Sequence, residues 1–130
     1  MKKIIILVVL LLAAILIYLI TKNKIFGGNS YKSITMDEAK ERFKTSGDYI
    51  ILDVRRDDEF SEGHIPGAIN VANEDISTET IPELPDLEQT IYVYCRSGRR
   101  SKEASQKLTD IGYTNIIEFG GIVDWTGEIE

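Results

Sequence analysis

The stretch IYVYCRSGRRS, at positions 91–101, joins a short β-type run to a helix-type run that begins near Arg100. The β-type run, Ile91 to Tyr94, has the apolar and aromatic composition of a buried strand. Cys95 follows at the end of that run and is the only cysteine in the chain. The stretch therefore predicts a strand, a loop that carries a thiol, and a helix in immediate succession, which is the repeating pattern of an α/β layer.

The loop after Cys95 has the composition of an anion site. Thiolates are stabilised at helix N-termini and beside guanidinium groups, so we expect this thiol to ionise and to act as a nucleophile. Gly98 permits positive φ, which lets successive backbone N–H groups turn inward as a concave anion nest. An inert buried cysteine is the competing interpretation, but the charges that follow must stay solvated or paired. The candidate binding residues are Arg96, Ser97, Gly98, Arg99, Arg100 and Ser101.

The rest of residues 31–130 alternates between strand and helix patterns. Thr35 and Glu38 predict a capping box for a helix that runs to Phe43 and is terminated by Gly47. The continuous apolar run at 49–52 predicts a strand that is buried on both faces of a parallel sheet. Further predicted elements are a helix over 57–62, a strand over 68–72, a helix over 102–111, a strand over 113–119, a Gly-Gly turn and a short element over 122–125. This alternation predicts an α/β domain with a mostly parallel sheet.

Asp53 and Arg55 follow the strand predicted at 49–52. The C-terminal ends of parallel strands line the binding crevice, so both side chains are expected near the edge that carries Cys95. We expect Asp53 to hold the active loop by hydrogen bonds to N–H groups or to an arginine. Arg55 either does the same or contacts the anion directly.

The loop from Cys95 to Ser101 resembles the active-site loop of single-domain rhodaneses. The similarity runs from Tyr31 to the end of the chain through the motifs Asp53-Val54-Arg55, Glu59-Phe60, Gly63-His64-Ile65-Pro66-Gly67-Ala68-Ile69-Asn70 and Gly120-Gly121-Ile122 with Trp125. It implies a rhodanese-like fold with helices on both faces of the sheet. It also implies that His64, the only histidine, is architectural rather than a general base.

The resemblance further implies a sulfurtransferase, in which Cys95 takes sulfane sulfur from thiosulfate or a persulfide and passes it to a thiol, cyanide or protein acceptor. Because the chain has one cysteine, discharge requires an external acceptor. No cofactor is expected, and one histidine with one cysteine cannot supply the three or four protein ligands of a zinc site.

Two alternatives to a sulfurtransferase remain open. The first is a membrane-anchored sulfur carrier or thiol-redox sensor, which uses the same persulfide or sulfenate chemistry without turnover. The second is a cysteine phosphatase or arsenate reductase, whose loop places an arginine six residues after the cysteine. Here Arg100 comes one position early, so the loop is a residue short for a tetrahedral oxyanion.

The charge of the chain is unevenly distributed. The lysines before position 30 leave 11 basic and 21 acidic residues in 31–130, which therefore carries a net charge of −10. Such an acidic domain argues against nucleic acid as a partner. The basic loop around Cys95 is then a local positive site for a small anionic sulfur donor.

The N-terminal segment predicts a membrane anchor. Residues 4–20 form an unbroken run of 17 uncharged residues with lysines on both sides, which is long enough to cross a bilayer. A cleaved signal peptide is the competing interpretation, but no small-x-small cleavage site follows the run. We expect an anchor with its flanks over 1–24, a flexible tether over 25–30 and the domain over 31–130. The short basic head favours an extracytoplasmic domain, although the lysine count alone does not decide the orientation.

Overall fold

A computed structural model describes residues 1–26 and 30–130. The helices are α1 (Lys2–Phe26), α2 (Met36–Phe43), α3 (Asp57–Glu62) and α4 (Arg99–Ile111). The strands are β1 (Lys32–Ser33), β2 (Tyr49–Asp53), β3 (Ile69–Asn70), β4 (Thr90–Cys95) and β5 (Asn115–Gly121), and 3₁₀ turns lie at Asn73–Asp75 and Ile122–Asp124. The predicted tether includes residues 27–29, which lie outside the described part of the chain.

The five strands form one parallel sheet in the order β1-β5-β4-β2-β3. β4 is central, with β2 on one side and β5 on the other, so Cys95 ends the middle strand. A register shift between Val93 and Cys95 places Cys95 opposite Gly121 of β5. The predicted α/β fold with a parallel sheet is confirmed, and the strand order brings the ends of β2, β4 and β5 to one edge.

Helices cover both faces of the sheet, as the resemblance implied. On one face, Ala104 and Leu108 of α4 pack over Val93 and the other core residues of a cluster that includes Cys95. On the other face, α2 packs over Tyr94 and Phe119, and Trp125 lies against the edge of that cluster. Side chains alternate between the faces along β4, which directs Cys95 toward α4.

Several predicted boundaries differ from the structure. The Thr35 hydroxyl accepts a hydrogen bond from the Glu38 N–H at 3.1 Å, but the Glu38 carboxylate pairs with Arg42 at 2.9 Å instead of completing the capping box. α2 ends at Phe43 with Lys44 as its C-cap, so the prediction that Gly47 terminates the helix was wrong. α4 begins at Arg99, one residue before the start expected near Arg100 and three before the apolar pattern of 102–111, because Gly98 provides its N-cap.

The Gly120-Gly121 turn predicted after the last strand was also wrong. Both glycines belong to β5, because pairing with β4 continues to the end of that strand. A Cβ at Gly121 would overlap the carbonyl of Arg96, so the absence of a side chain permits this close approach.

α1 is long and apolar enough to cross a membrane over Lys2–Thr21, and none of this segment is buried. A helix of 20 residues spans roughly 30 Å, which matches the hydrocarbon core of a bilayer. Signal sequences meet the same criteria of length and composition.

Candidate active site

Cys95 lies at the end of β4 and is 1% exposed. Its Sγ accepts a hydrogen bond from the Gly98 N–H at 3.0 Å. Gly98 has φ of +109° and is the N-cap of α4, so the chain turns sharply between the strand and the helix. The N-terminus of α4 therefore directs a backbone hydrogen-bond donor at the sulfur.

The end of β5 forms the second wall of this loop. The Val123 N–H donates to the Arg96 carbonyl at 3.2 Å, and the backbone of Gly121 lies directly against the same carbonyl. The loop is therefore held between two strand ends. This contact accounts for the Gly-Gly-Ile motif that the sequence places twenty-odd residues after the cysteine.

Ser101 belongs to the predicted binding loop but faces away from solvent. Its hydroxyl is fully buried and is shared between the Gly98 carbonyl at 2.9 Å and Glu118 Oε1 at 2.7 Å. Sequence reasoning missed Glu118. The available signal was a carboxylate two residues after Ile116 in a strand whose alternate positions are apolar.

A polar pocket of about 380 Å³ borders the loop. Its lining residues are Arg56, Glu59, Glu74, Arg96, Ser97, Arg99 and Arg100. The lining residues carry four guanidinium groups and two carboxylates, although Arg56 and Arg99 also pair with carboxylates outside the lining, those of Asp58 and Glu103. The pocket is therefore suited to a small anion.

The three loop arginines are in different environments. Arg100 donates to the Glu59 carboxylate at 2.8 and 3.3 Å, and these hydrogen bonds lower the pKa of Glu59 and raise the pKa of Arg100. Arg99 pairs with Glu103 at 3.4 Å on the surface of α4. Among the side chains that the structure describes, those of residues 1–21 and 30–130, Arg96 has no partner in an ion pair or hydrogen bond, so it is the loop arginine left available to a ligand.

Asp53 and Arg55 form a buried pair beside the strand that carries the cysteine. The Asp53 carboxylate accepts from Arg55 Nη2 at 2.7 Å and from the Tyr94 hydroxyl at 2.7 Å. Arg55 also donates to the Gly63 carbonyl at 2.6 Å. The pKa of the Tyr94 hydroxyl is raised, chiefly by burial and secondly by its hydrogen bond to Asp53.

This pair does not contact the loop in the manner expected from the sequence. Asp53 bonds to Arg55 and to Tyr94, the residue before Cys95, instead of to the N–H groups or arginines of residues 96–101. Arg55 is 7% exposed and does not line the pocket, so its alternative role as a direct anion contact is not supported. The reason is that β2 and β4 are adjacent and parallel, which places Asp53 opposite Tyr94.

His64 lies in the turn after α3 and away from the pocket. Its ring stacks on Phe60 with centroids 3.8 Å apart, and Nδ1 lies 3.0 Å from the Phe60 carbonyl oxygen. Nε2 lies 3.5 Å from the Glu130 carboxylate. This packing agrees with an architectural side chain.

The fold and the site define an α/β protein whose single cysteine ends the central strand of a parallel sheet. The chain matches the Rhodanese-like domain family over residues 35–128, and it belongs to that family. It is 34% identical over 73 residues to thiosulfate sulfurtransferase PspE of Escherichia coli (strain K12), a match that covers 56% of this chain and 70% of that protein.

Two further comparisons agree with this assignment. The chain is 32% identical over 97 residues to the putative sulfurtransferase YtwF of Bacillus subtilis (strain 168), which covers 75% of this chain and 92% of the relative. A solved structure described as a rhodanese with anions from E. coli superposes with a TM-score of 0.57 at 30% identity, over 63% of this chain and 96% of the other.

Proposed function

We propose that this protein is a sulfurtransferase that accepts sulfane sulfur from a small anionic donor, such as thiosulfate or a persulfide, on Cys95. The observation that carries the proposal is the Gly98 N–H aimed at Cys95 Sγ at 3.0 Å, at the N-terminus of a helix. Such a donor stabilises negative charge on sulfur before and after transfer, since both the thiolate and the persulfide are anionic.

The reaction with thiosulfate is a displacement at sulfur. The Cys95 thiolate attacks the outer sulfur of thiosulfate, a new S–S bond forms, and the S–S bond of the donor breaks with its electron pair leaving on sulfite. An acceptor thiolate then attacks the outer sulfur of the Cys95 persulfide, which restores the Cys95 thiolate. Neither step requires a proton transfer or a metal. The acceptor is an external thiol, cyanide or a protein thiol.

Arg96 is the residue we assign to the sulfonate end of the donor. It lines the pocket without a partner among the described residues, whereas Arg100 is bound to Glu59 and Arg99 to Glu103. Ser97 lines the same pocket and supplies a neutral donor. Asp53 and Arg55 stabilise the end of β4 through the hydrogen bond between Asp53 and the Tyr94 hydroxyl, and they do not contact the donor.

Mass spectrometry of the full-length protein in detergent tests the proposal. After exposure to thiosulfate or polysulfide, the protein should gain one sulfur atom, about 32 Da, and lose it on addition of a thiol. Cys95→Ser is the matched control and should gain nothing. An unchanged mass, with the thiol shown to be free and the protein folded, would refute sulfur transfer.

The same sample separates the alternatives. Repeated turnover with thiosulfate and cyanide supports an enzyme, whereas a single loading without turnover supports a sulfur carrier or a redox sensor. Hydrolysis of a phosphate ester would support a phosphatase. The structure argues against that last activity, because Arg100 is bound to Glu59 and no arginine follows at the position that closes a phosphate loop.

We also propose that α1 is an uncleaved anchor with the domain on the extracytoplasmic side. The exposed apolar surface of Lys2–Thr21 supports the anchor. The protein should stay in the membrane fraction through high salt and alkaline carbonate, with its original N-terminus intact. Protease added to intact cells should remove the domain. Protection of the domain from the protease would show that it lies on the cytoplasmic side. A mature N-terminus near Lys24 or later would refute the anchor.

A further inference from the structure

Glu118 is a buried carboxylate on the face of β5 that α4 covers, and it is 2% exposed. Its Oε1 accepts from the Ser101 hydroxyl at 2.7 Å and from the Gly120 N–H at 2.8 Å, and its Oε2 accepts from the Ser33 hydroxyl at 3.1 Å. In the described part of the chain no lysine, arginine or histidine forms an ion pair with it. Burying a carboxylate without a cation is costly, and an apolar side chain at this position would avoid that cost.

A series of hydrogen bonds through Ser101 and Gly98 connects Glu118 to the Cys95 sulfur. The Ser101 hydroxyl that contacts Glu118 also contacts the Gly98 carbonyl at 2.9 Å. The N–H of the same glycine donates to Cys95 Sγ. Gly98 lacks a side chain that would restrict its φ and ψ, so the bonds that its carbonyl accepts from the Ser101 hydroxyl and from the Lys102 N–H at 3.2 Å help to hold the backbone whose N–H meets the sulfur.

Glu118 also fixes the strand end against which Gly98 packs. It accepts from the Gly120 N–H, and a Cβ at Gly98 would lie 3.9 Å from the Gly120 Cα. One carboxylate therefore holds both sides of the contact between the loop and β5.

We propose that Glu118 is a positioning residue for the sulfur site. It holds Ser101 and Gly120 so that the Gly98 N–H is directed at Cys95 Sγ. The inference rests on the proposed function for its catalytic meaning, because an aligned donor matters when the sulfur carries charge. Glu118 does not line the pocket and acts only through Ser101 and Gly120, which both contact Gly98.

Two neutral substitutions test the role of the hydrogen bonds without the complication of charge. Glu118→Gln keeps the acceptor for Ser101 and Gly120, whereas Glu118→Leu has a similar size and removes it. Both variants carry a neutral side chain at this position, so a difference between them reports chiefly the hydrogen bonds to Ser101 and Gly120. The measurement is the rate of Cys95 alkylation by iodoacetamide as a function of pH on the folded full-length protein, followed by mass, together with kcat and KM for thiosulfate.

The expected result is that the alkylation profile of Glu118→Leu lies at higher pH than that of Glu118→Gln. Its kcat should be lower by about tenfold, while KM changes less than about twofold because Arg96 is untouched. A merely structural role would lower the melting temperature and leave both readouts equal in the two variants. Equal profiles in folded Glu118→Leu and Glu118→Gln would overturn the proposal.

Ser101→Ala provides a second test if Glu118→Leu does not fold, since it removes one hydroxyl and leaves Glu118 in place. Relative to the unmodified protein it should move the alkylation profile to higher pH, and an unmoved profile would overturn the proposal. Ser33→Ala is the matched control, because it removes a partner of Glu118 on the side away from the loop, and it should leave the profile unchanged. Alkylation does not require sulfur transfer, so these results remain decisive even if the proposed function fails.

Discussion

Two groups of arginines and carboxylates lie at the C-terminal edge of the sheet, one buried beside Tyr94 and the other open around the loop after Cys95. In the buried group, the Arg55 guanidinium is bound to Asp53 and Gly63, and Asp53 also binds Tyr94. In the open group, Arg100 is bound to Glu59 but Arg96 has no partner in the described residues. The two groups have similar residue types and differ in whether their hydrogen bonds are completed within the protein.

This difference indicates that the buried group stabilises the fold, whereas the open group is available to bind a ligand. A buried charge must be paired within the fold, so Asp53 and Arg55 contribute to the stability of the strand end. An exposed arginine without a partner in the fold retains its hydrogen-bonding capacity, which supports the proposed role of Arg96 as the contact for an anionic donor. Substitution of the buried Asp53 should therefore change stability strongly, whereas substitution of the unpartnered Arg96 should change binding and the half-open pair of Glu59 with Arg100 should contribute little to stability.

The largest effect is expected for Asp53→Ala. Loss of the carboxylate leaves the Arg55 guanidinium buried and unpaired, which should lower the free energy of unfolding by about 3–5 kcal/mol. Denaturant titration measures this change. The control is Glu103→Ala, which breaks the exposed pair with Arg99 and should cost less than about 0.5 kcal/mol. Equal losses in the two variants would contradict the division between the groups.

A smaller loss of stability is expected for Tyr94→Phe. The Tyr94 hydroxyl donates to Asp53 and accepts from the Ile65 N–H at 3.1 Å, so its removal should cost about 1–3 kcal/mol while Arg55 still pairs with Asp53. Sulfur loading of Cys95 should be retained.

The loss of stability in Tyr94→Phe should depend on pH. Burial and Asp53 raise the pKa of Tyr94 in the folded protein, so its contribution to stability is complete below about pH 10 and declines above it, where an unfolded tyrosine ionises. Unfolding measured between neutral and alkaline pH should show a smaller difference between Tyr94→Phe and the unmodified protein at high pH. A constant difference would mean that Tyr94 ionises normally.

Arg96→Ala tests the open group. Loss of the guanidinium should raise KM for thiosulfate by about tenfold, which corresponds to about 1.4 kcal/mol of binding, and should leave the melting temperature nearly unchanged. Arg99→Ala removes an arginine from the same pocket that already has a partner, and its KM should change less than about twofold. If Arg99→Ala has the larger effect, the assignment of the donor arginine is wrong.

The smallest effect is expected for Glu59→Gln, which weakens a pair that is about one-fifth exposed on each side, 23% for Glu59 and 19% for Arg100. The variant should lose about 0.5–1 kcal/mol at neutral pH. The pKa of Glu59 is lowered in the folded protein, so this contribution is present above the ordinary glutamate pKa of about 4.3 and disappears as the pH falls through the lowered value. Denaturant titrations at neutral and acid pH measure it, and Glu103→Gln is the exposed control. A loss that persists in acid would assign the effect to packing.

Local sequence patterns predicted correctly the secondary structure that depends only on neighbouring residues. The apolar runs of β2 and β4 and the strand-to-helix loop at Cys95 determine the α/β class, because burial and backbone geometry are set within a few residues. The same patterns failed at Gly47 and at Gly120-Gly121, where glycine was interpreted as a stop. A glycine also occurs where two backbones approach closely, and that distinction depends on what lies across the sheet.

By itself, the sequence determined that the thiol lies between a buried strand and a helix, in a basic loop, since these are properties of consecutive residues. Only the tertiary structure decided which polar side chains distant in sequence pair with one another. Glu59 and Arg100 lie 41 positions apart, as do Asp53 and Tyr94, while Ser101 and Glu118 lie 17 apart. The physical reason is that the order of the strands brings these residues together, so that burial and hydrogen-bond geometry at the shared edge select the partners and leave Arg96 open.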